Sequence, residues 1–74
     1  MLIVPRAHVA SLGAATDPTL VGQVALLAAQ VAREAGYAER GYRVVLNDGP
    51  DAGQTVHHLH MHVLAGRTLA WPPG

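Results

Sequence analysis

Three histidines alternate with apolar residues near the end of the chain, in the run His58-Leu59-His60-Met61-His62-Val63-Leu64. Successive side chains of a β-strand point to opposite faces, so the histidines are expected to stand in a row on one face and the apolar residues on the other. The extended segment is predicted to span Val56 to Ala65 and to close at Gly66. One face of this strand therefore carries chemistry and the other contributes to a core.

Two further strands are expected earlier in the chain. Leu2 to Val4 is a β-prone run ended by Pro5, which cannot donate to a sheet ladder. Tyr42 to Leu46 is β-branched and aromatic, and it runs into a loop of turn residues, Asn47 to Gly53. The last two strands are therefore predicted to pair antiparallel around this glycine-rich loop.

One amphipathic helix is predicted between the first two strands. Asp17 can cap free N–H groups, Pro18 suits the first helical position, and Gly36 is placed to end the helix in a left-handed conformation. One apolar face has larger side chains: Leu20, Val24, Leu27 and Val31. The adjoining face is small and apolar: Val21, Ala25, Ala28 and Ala32. Two arrangements stay open. The helix could pack on two sides, with one side against a partner subunit, or it could be buried more deeply within one chain.

Length and composition limit the classes of function. Seventy-four residues make at most one small domain, whose stability is expected to be marginal. Five basic and five acidic residues leave no net charge, so nothing indicates a nucleic-acid partner. Cysteine is absent, which excludes disulfides and thiolate chemistry. Polar residues interrupt the apolar stretch Leu20 to Ala35 and no signal peptide is recognisable, so we expect no membrane span and a cytoplasmic location.

The row of histidines has two chemical interpretations. It could hold zinc or copper, although no Asp, Glu or Cys lies in the row to complete a ligand set. The favoured interpretation is nucleophilic catalysis at phosphorus, in which a neutral imidazole attacks through its unprotonated nitrogen while a backbone carbonyl holds the proton on the other. Neighbouring histidines would then donate hydrogen bonds to phosphate oxygens or to the leaving group.

The loop before the histidines fits the catalytic interpretation. Gly53-Gln54-Thr55-Val56 offers backbone N–H groups, an amide and a hydroxyl. A phosphate held over the histidines would project its oxygens toward such groups. Taken alone these glycines would indicate only a turn, but next to the histidine row they favour a phosphate site.

Motifs over nearly the whole chain resemble the histidine triad (HIT) family, and most closely its Hint-like branch of purine nucleoside phosphoramidases. They are Leu2-Ile3-Val4-Pro5-Arg6-Ala7-His8-Val9, Gly41-Tyr42-Arg43, Asn47-Asp48-Gly49, Gly53-Gln54-Thr55-Val56, His58 to Leu64, Gly66-Arg67 and Trp71-Pro72-Pro73-Gly74. The resemblance implies an α+β fold with an antiparallel sheet and one central helix. It also implies hydrolysis of nucleoside phosphoramidates or related nucleotide conjugates through a nucleotidyl-histidine intermediate, without a cofactor or a metal.

The resemblance also implies roles for individual residues. His60 would be the nucleophile, and His62 would contact the phosphate and assist the leaving group. His58 would support the row, with its backbone carbonyl orienting the ring of His60. Phosphate or nucleotide contacts would come from a further set of residues: Asn47, Gly53, Gln54, Thr55 and Trp71. Thr55 stands where serine is usual in the family.

Family members of this branch are homodimers in which the central helices pack together, and the tail tryptophan, here Trp71, would reach the partner's active site. They also have an upstream segment that supplies most of the base and ribose pocket. Residues 1–74 are therefore expected to form a single partial domain, truncated at its N-terminus. The alternatives are a non-catalytic nucleotide- or metal-binding module and an inactive fragment of a hydrolase.

Four nearby residues receive no catalytic assignment. His57 should face away from the histidine row by strand alternation. His8 follows a Pro-Arg turn, where a solvated loop or a hydrogen-bonding role is expected. Arg43 and Arg67 could attract phosphate, although arginines that flank a strand are usually solvated surface.

Overall fold

A computed structural model describes all of residues 1–74. Its elements, in chain order, are β1 (Leu2–Ile3), α1 (Pro18–Glu34), β2 (Arg43–Val45) and β3 (Met61–Leu64). The strands form one antiparallel sheet in the order β1-β3-β2, and α1 packs against β3 and β1. The predicted α+β class and the antiparallel pairing of the last two strands are confirmed.

Both predicted ends of α1 are confirmed. The Asp17 carboxylate accepts a hydrogen bond of 2.9 Å from the Thr19 N–H, and proline occupies the first turn. At the other end Gly36 has a φ of +88°, which a residue with a Cβ rarely adopts. The Tyr37 N–H then donates to the Ala32 carbonyl at 2.9 Å, which closes a Schellman motif. The helix is neither long nor apolar enough to span a bilayer.

The core lies between one face of α1 and the inner face of the sheet. It consists of Ile3, Val24, Ala28, Ala32, Met61 and Val63. The two alanines have no exposed surface, because their small side chains let the helix approach the sheet closely. On the rest of the helix Leu26 and Leu27 are 73% and 44% exposed. The buried stripe therefore draws on both predicted faces, with Val24 from the larger one and Ala28 and Ala32 from the small one, and α1 is not buried on all sides within one chain.

The strands are shorter than the sequence predicts. The expected strands Leu2 to Val4 and Tyr42 to Leu46 each lose residues at their ends, and the expected segment Val56 to Ala65 forms sheet pairs only within β3. Residues 56–58 form a bend instead. The histidine row is therefore only partly in the sheet, and its first two members precede β3.

Proline ends the ladder between β1 and β3. Ile3 pairs with Met61, so two further residues of pairing would place Pro5 opposite Leu59. Pro5 has no N–H to give to the Leu59 carbonyl, and its own carbonyl accepts from Nε2 of His58 at 3.0 Å. The Leu59 N–H is instead bonded to the Val9 carbonyl at 2.6 Å. Burial still alternates along this stretch, since Leu59 and Met61 are buried and the histidines are half-buried. The predicted separation of a core face and a histidine face is retained without a continuous strand.

Candidate active site

His60 is held by the main chain of its own segment. Its Nδ1 lies 2.7 Å from the carbonyl oxygen of His58. A carbonyl oxygen can only accept, so Nδ1 must carry the hydrogen and donate it. In the neutral ring this leaves Nε2 unprotonated, with a lone pair available for attack on an electrophile. The geometry is the one that the catalytic interpretation of the sequence requires.

His62 lies in the central strand, β3, two residues after His60. It is paired with Leu2 of β1 on one side and with Val45 of β2 on the other. The ring centroids of His60 and His62 are 5.1 Å apart, with the ring planes at 72°. The two imidazoles are thus close enough to contact one small group together, and the sheet fixes His62 from both sides.

His58 is directed toward the segment that follows β1. Its Nε2 lies 3.0 Å from the carbonyl oxygen of Pro5 and must therefore donate to it. This hydrogen bond joins residues 53 positions apart in the chain. His58 consequently ties the histidine segment to the N-terminal segment, and its Nε2 is already occupied.

His8 lies beside the histidine row, a position that the sequence does not predict. Its ring centroid is 5.5 Å from that of His58, with the planes at 34°. The residues are 50 positions apart, so no local periodicity could reveal the contact. The pairing of β1 with β3, together with the two bonds from the histidine segment to the Pro5 and Val9 carbonyls, brings these rings together.

A small cavity of about 180 Å³ opens beside His58 and His60. Its other walls are apolar: Leu2, Val4 and Val56. This volume is smaller than the several hundred Å³ typical of sites that enclose a whole ligand. It has room for a small group next to the imidazoles, and the rest of a larger ligand would extend over the surface.

Gln54 joins three backbone segments around the site. Its Oε1 accepts from the Gly49 N–H at 2.9 Å, and its Nε2 donates to the carbonyls of Ala10 at 2.8 Å and Val56 at 3.1 Å. Both amide hydrogens are therefore used within the protein. The expected phosphate contact from this side chain stays a prediction, and the observed contacts are those of a residue that shapes the loop.

The other expected phosphate-binding residues lie in the same loop and at its start. Asn47 is half-buried and comes two residues after Val45, the β2 partner of His62. Gly53 has a φ of +86°, a left-handed conformation that suits glycine, and its N–H closes a turn onto the Pro50 carbonyl at 3.0 Å. Thr55 is exposed.

Trp71 lies apart from the histidines within this chain. Its side chain is 80% exposed, and the Cζ of Arg43 is 6.0 Å from its ring centroid. Arg43 belongs to β2, which forms the opposite edge of the sheet from β1. The chain alone therefore does not bring Trp71 to the cavity beside His58 and His60.

The histidines do not gather into a metal-binding group. No three or more His, Cys, Asp or Glu side chains come together in an arrangement that could hold a metal ion. Nδ1 of His60 and Nε2 of His58 each face a backbone carbonyl rather than a common point. The arrangement matches the chemistry of a nucleophile and its neighbours better than that of a ligand set.

Known proteins of one family resemble this chain in sequence and in structure. The family model described as HIT domain matches residues 1–69. An uncharacterized HIT-like protein of Synechococcus elongatus is 47% identical over an alignment 76 residues long. The alignment covers 100% of this chain and 66% of the relative. This chain thus spans slightly less than two thirds of that relative's length.

Two solved structures have the same fold. The crystal structure of a HIT family hydrolase from Legionella pneumophila aligns with a TM-score of 0.94 at 39% identity, over 99% of this chain and 67% of that one. A histidine triad protein from Clostridium difficile aligns with a TM-score of 0.87, also at 39% identity, over 93% of this chain and 62% of that one.

Proposed function

This chain belongs to the HIT domain family, and we propose that it hydrolyses nucleoside phosphoramidates or related nucleotide conjugates through a nucleotidyl intermediate on His60. The observation that carries the proposal is the 2.7 Å contact between Nδ1 of His60 and the His58 carbonyl. This contact leaves Nε2 of a neutral imidazole free to attack phosphorus.

The first step forms a bond between Nε2 of His60 and phosphorus and breaks the bond between phosphorus and the leaving amine. His62 lies beside His60, with ring centroids 5.1 Å apart, and would give a proton to that amine. In the second step water attacks phosphorus, the bond to Nε2 breaks, and His62 takes up the proton from water. The products are an amine and a nucleoside monophosphate, and His60 returns to its starting state.

The loop from Gly53 to Thr55 and the side chain of Asn47 would bind the non-bridging phosphate oxygens. Charge accumulates on these oxygens as the nucleophile adds, and donors that are already in place stabilise it at no cost of reorganisation. Gln54 supports this role indirectly, because its three hydrogen bonds hold the loop against the segment after β1.

We also propose that the chain acts as a homodimer. The leucines on the solvent side of α1 offer apolar surface to a second copy, since Leu26 is 73% exposed and Leu27 44%. Trp71 is 80% exposed and lies at the β2 edge, away from its own chain's histidines. In a dimer Trp71 would reach the partner's active site and contact the nucleotide there.

The proposal is tested by steady-state hydrolysis of adenosine 5′-phosphoramidate by the 74-residue chain in the presence of a chelator. The variant is His60→Ala, and the matched control is His57→Ala, because His57 is an exposed neighbouring histidine outside the row. Circular dichroism establishes that each protein is folded. We expect turnover by the unmodified chain and by the control, and loss of at least about a thousandfold in His60→Ala.

Binding of adenosine monophosphate distinguishes catalysis from simple binding. A nucleophile contributes mainly to the reaction barrier, so His60→Ala should retain its affinity for the nucleotide. Absence of turnover from the folded, unmodified chain would contradict the proposal and indicate a binding module or an inactive protein. Equal loss in His57→Ala would show that the assignment to His60 is wrong.

A further inference from the structure

A polar cavity of about 410 Å³ lies at the end of the sheet away from the histidines. It is formed where β2 begins and β3 ends, with Arg43 paired to Leu64. Arg40, Tyr42, Arg67 and Thr68 also line it. β3 ends at Leu64, two residues or about 7 Å beyond His62, and the lining residues Gly66, Arg67 and Thr68 follow that end. No histidine lines the cavity, so it is separate from the phosphate site proposed above.

The cavity concentrates positive charge in a chain that has no net charge. Three of the five basic residues, Arg40, Arg43 and Arg67, line it, and no acidic residue does. Glu39 is the nearest carboxylate in sequence, adjacent to Arg40, and it is not a lining residue. Three arginines that line one space bring like charges together, and an anion bound there would offset their repulsion.

Two of the guanidinium groups are positioned by the backbone and keep most of their donors free. Arg43 gives one N–H to the Ala70 carbonyl and Arg67 gives one to the Thr68 carbonyl, each at 3.0 Å. Each guanidinium has five N–H donors, and its planar fork matches the oxygens of a phosphate. The Thr68 hydroxyl is a further polar group among the lining residues.

Two glycines of the cavity lining have backbone conformations that favour glycine. Gly41 and Gly66 both line the cavity, and both have a φ of +98°, which residues with side chains rarely adopt. Tyr42 adds an aromatic ring that is 38% exposed and available for stacking on a flat group. The cavity therefore combines a cationic wall, a hydroxyl and an aromatic surface.

From these observations we propose that this cavity binds a small molecule carrying two or more phosphate groups, at a site separate from the histidines. The recognition chemistry is charge-assisted hydrogen bonding from Arg40, Arg43 and Arg67 to phosphate oxygens. The site does not depend on the hydrolytic activity, so either can fail without the other.

The experiment is a titration of the chain with inorganic pyrophosphate at constant ionic strength, followed by ¹H–¹⁵N NMR of the backbone and of the arginine Nε–H groups. We expect saturable shifts at Gly41, Arg67 and Thr68. The test variant carries Arg40→Gln and Arg67→Gln, which retain polar side chains at two exposed positions. Loss of two charge-assisted contacts should weaken binding by about tenfold or more.

Two controls make the result specific. Arg33→Gln removes an exposed arginine from the last turn of α1, outside the cavity, and His60→Ala alters only the histidine site. Both should bind pyrophosphate as the unmodified chain does. A repeat titration with inorganic phosphate, followed at Gly41, Arg67 and Thr68, shows whether one phosphate suffices. Binding there as tight as that of pyrophosphate, or tighter, would overturn the requirement for two. Shifts that do not saturate, that centre on the histidines, or that weaken equally in Arg33→Gln would overturn the site.

Discussion

Nδ1 of His60 donates to the carbonyl oxygen of His58, two residues earlier in the chain, at 2.7 Å. The acceptor is a main-chain atom, so the tautomer of His60 depends on the backbone path and not on the identity of another side chain. This differs from histidines that are oriented by a carboxylate, where replacing the partner changes the tautomer. The bend at residues 56–58 and the start of β3 together set that path.

We predict that neutral His60 is protonated at Nδ1 and unprotonated at Nε2. Long-range ¹H–¹⁵N spectra of histidine-labelled protein distinguish the two tautomers directly. His58→Ala should leave the tautomer of His60 unchanged, because the accepting carbonyl remains. Protonation of neutral His60 at Nε2 in the unmodified chain would contradict the hydrogen bond and, with it, the assignment of the nucleophile.

Replacing Gln54 should destabilise the loop that precedes the histidines. Gln54→Ala removes three hydrogen bonds and leaves partly buried backbone groups without partners, which should lower the free energy of unfolding by about 1–3 kcal/mol. In a domain of this size each kcal/mol corresponds to roughly 4–8 °C in Tm. We expect KM for a phosphoramidate to rise as well, because the loop would no longer be held in position.

The matched control for Gln54 is Gln23→Ala, an exposed glutamine on α1. It should change neither Tm nor KM appreciably. The variant Gln54→Glu separates the contacts further, since it keeps the acceptor for the Gly49 N–H and loses both donors. A Gln54→Ala protein with unchanged Tm and KM would mean that these hydrogen bonds do not support the loop.

Local patterns were sufficient to predict the helix and the order of the elements. Asp17, Pro18 and Gly36 act within a few residues of their positions, so their effect is visible in the sequence itself. The alternation of histidine and apolar residues likewise predicted which side chains are buried. These features depend on neighbours along the chain, and the structure confirms them.

Contacts between distant segments could not be predicted in the same way. The strand containing the histidines was expected to be longer, because nothing local shows that pairing with β1 would bring Pro5 opposite Leu59. The neighbouring rings of His8 and His58 depend on the same register. Gln54 was assigned by motif to phosphate, whereas its observed partners include a carbonyl 44 positions away.

Removing the cap of α1 should affect stability and leave catalysis intact. Asp17→Ala deletes the acceptor for the Thr19 N–H, and loss of such a cap costs about 1 kcal/mol. The thermal midpoint should fall by roughly 4–8 °C, while kcat at a temperature well below it stays the same. Asp51→Ala, at an exposed turn position, is the control and should leave the midpoint in place. Equal effects of both substitutions would show that capping is not the cause.

A charge on the exposed face of α1 should dissociate the proposed dimer. Leu27→Glu introduces a carboxylate where an apolar side chain is 44% exposed in the single chain, so the monomer should fold normally. Association of two copies should weaken by about tenfold or more. Sedimentation equilibrium over a range of concentrations measures this. Leu12→Glu, at an equally exposed loop position, should not change association. A monomeric unmodified chain at every concentration would refute the proposed dimer.

The central place of β3 in the order β1-β3-β2 has a consequence for motion. Edge strands of two and three residues can fray independently, but β3 remains paired on one side when either of them opens. The β3 amides that donate to one edge should therefore stay protected while the other edge opens, and β3 should lose all of its pairing only when both edges open. The backbone of His62 should then keep its position for as long as the domain is folded, whereas the edge strands on either side of it open on shorter timescales.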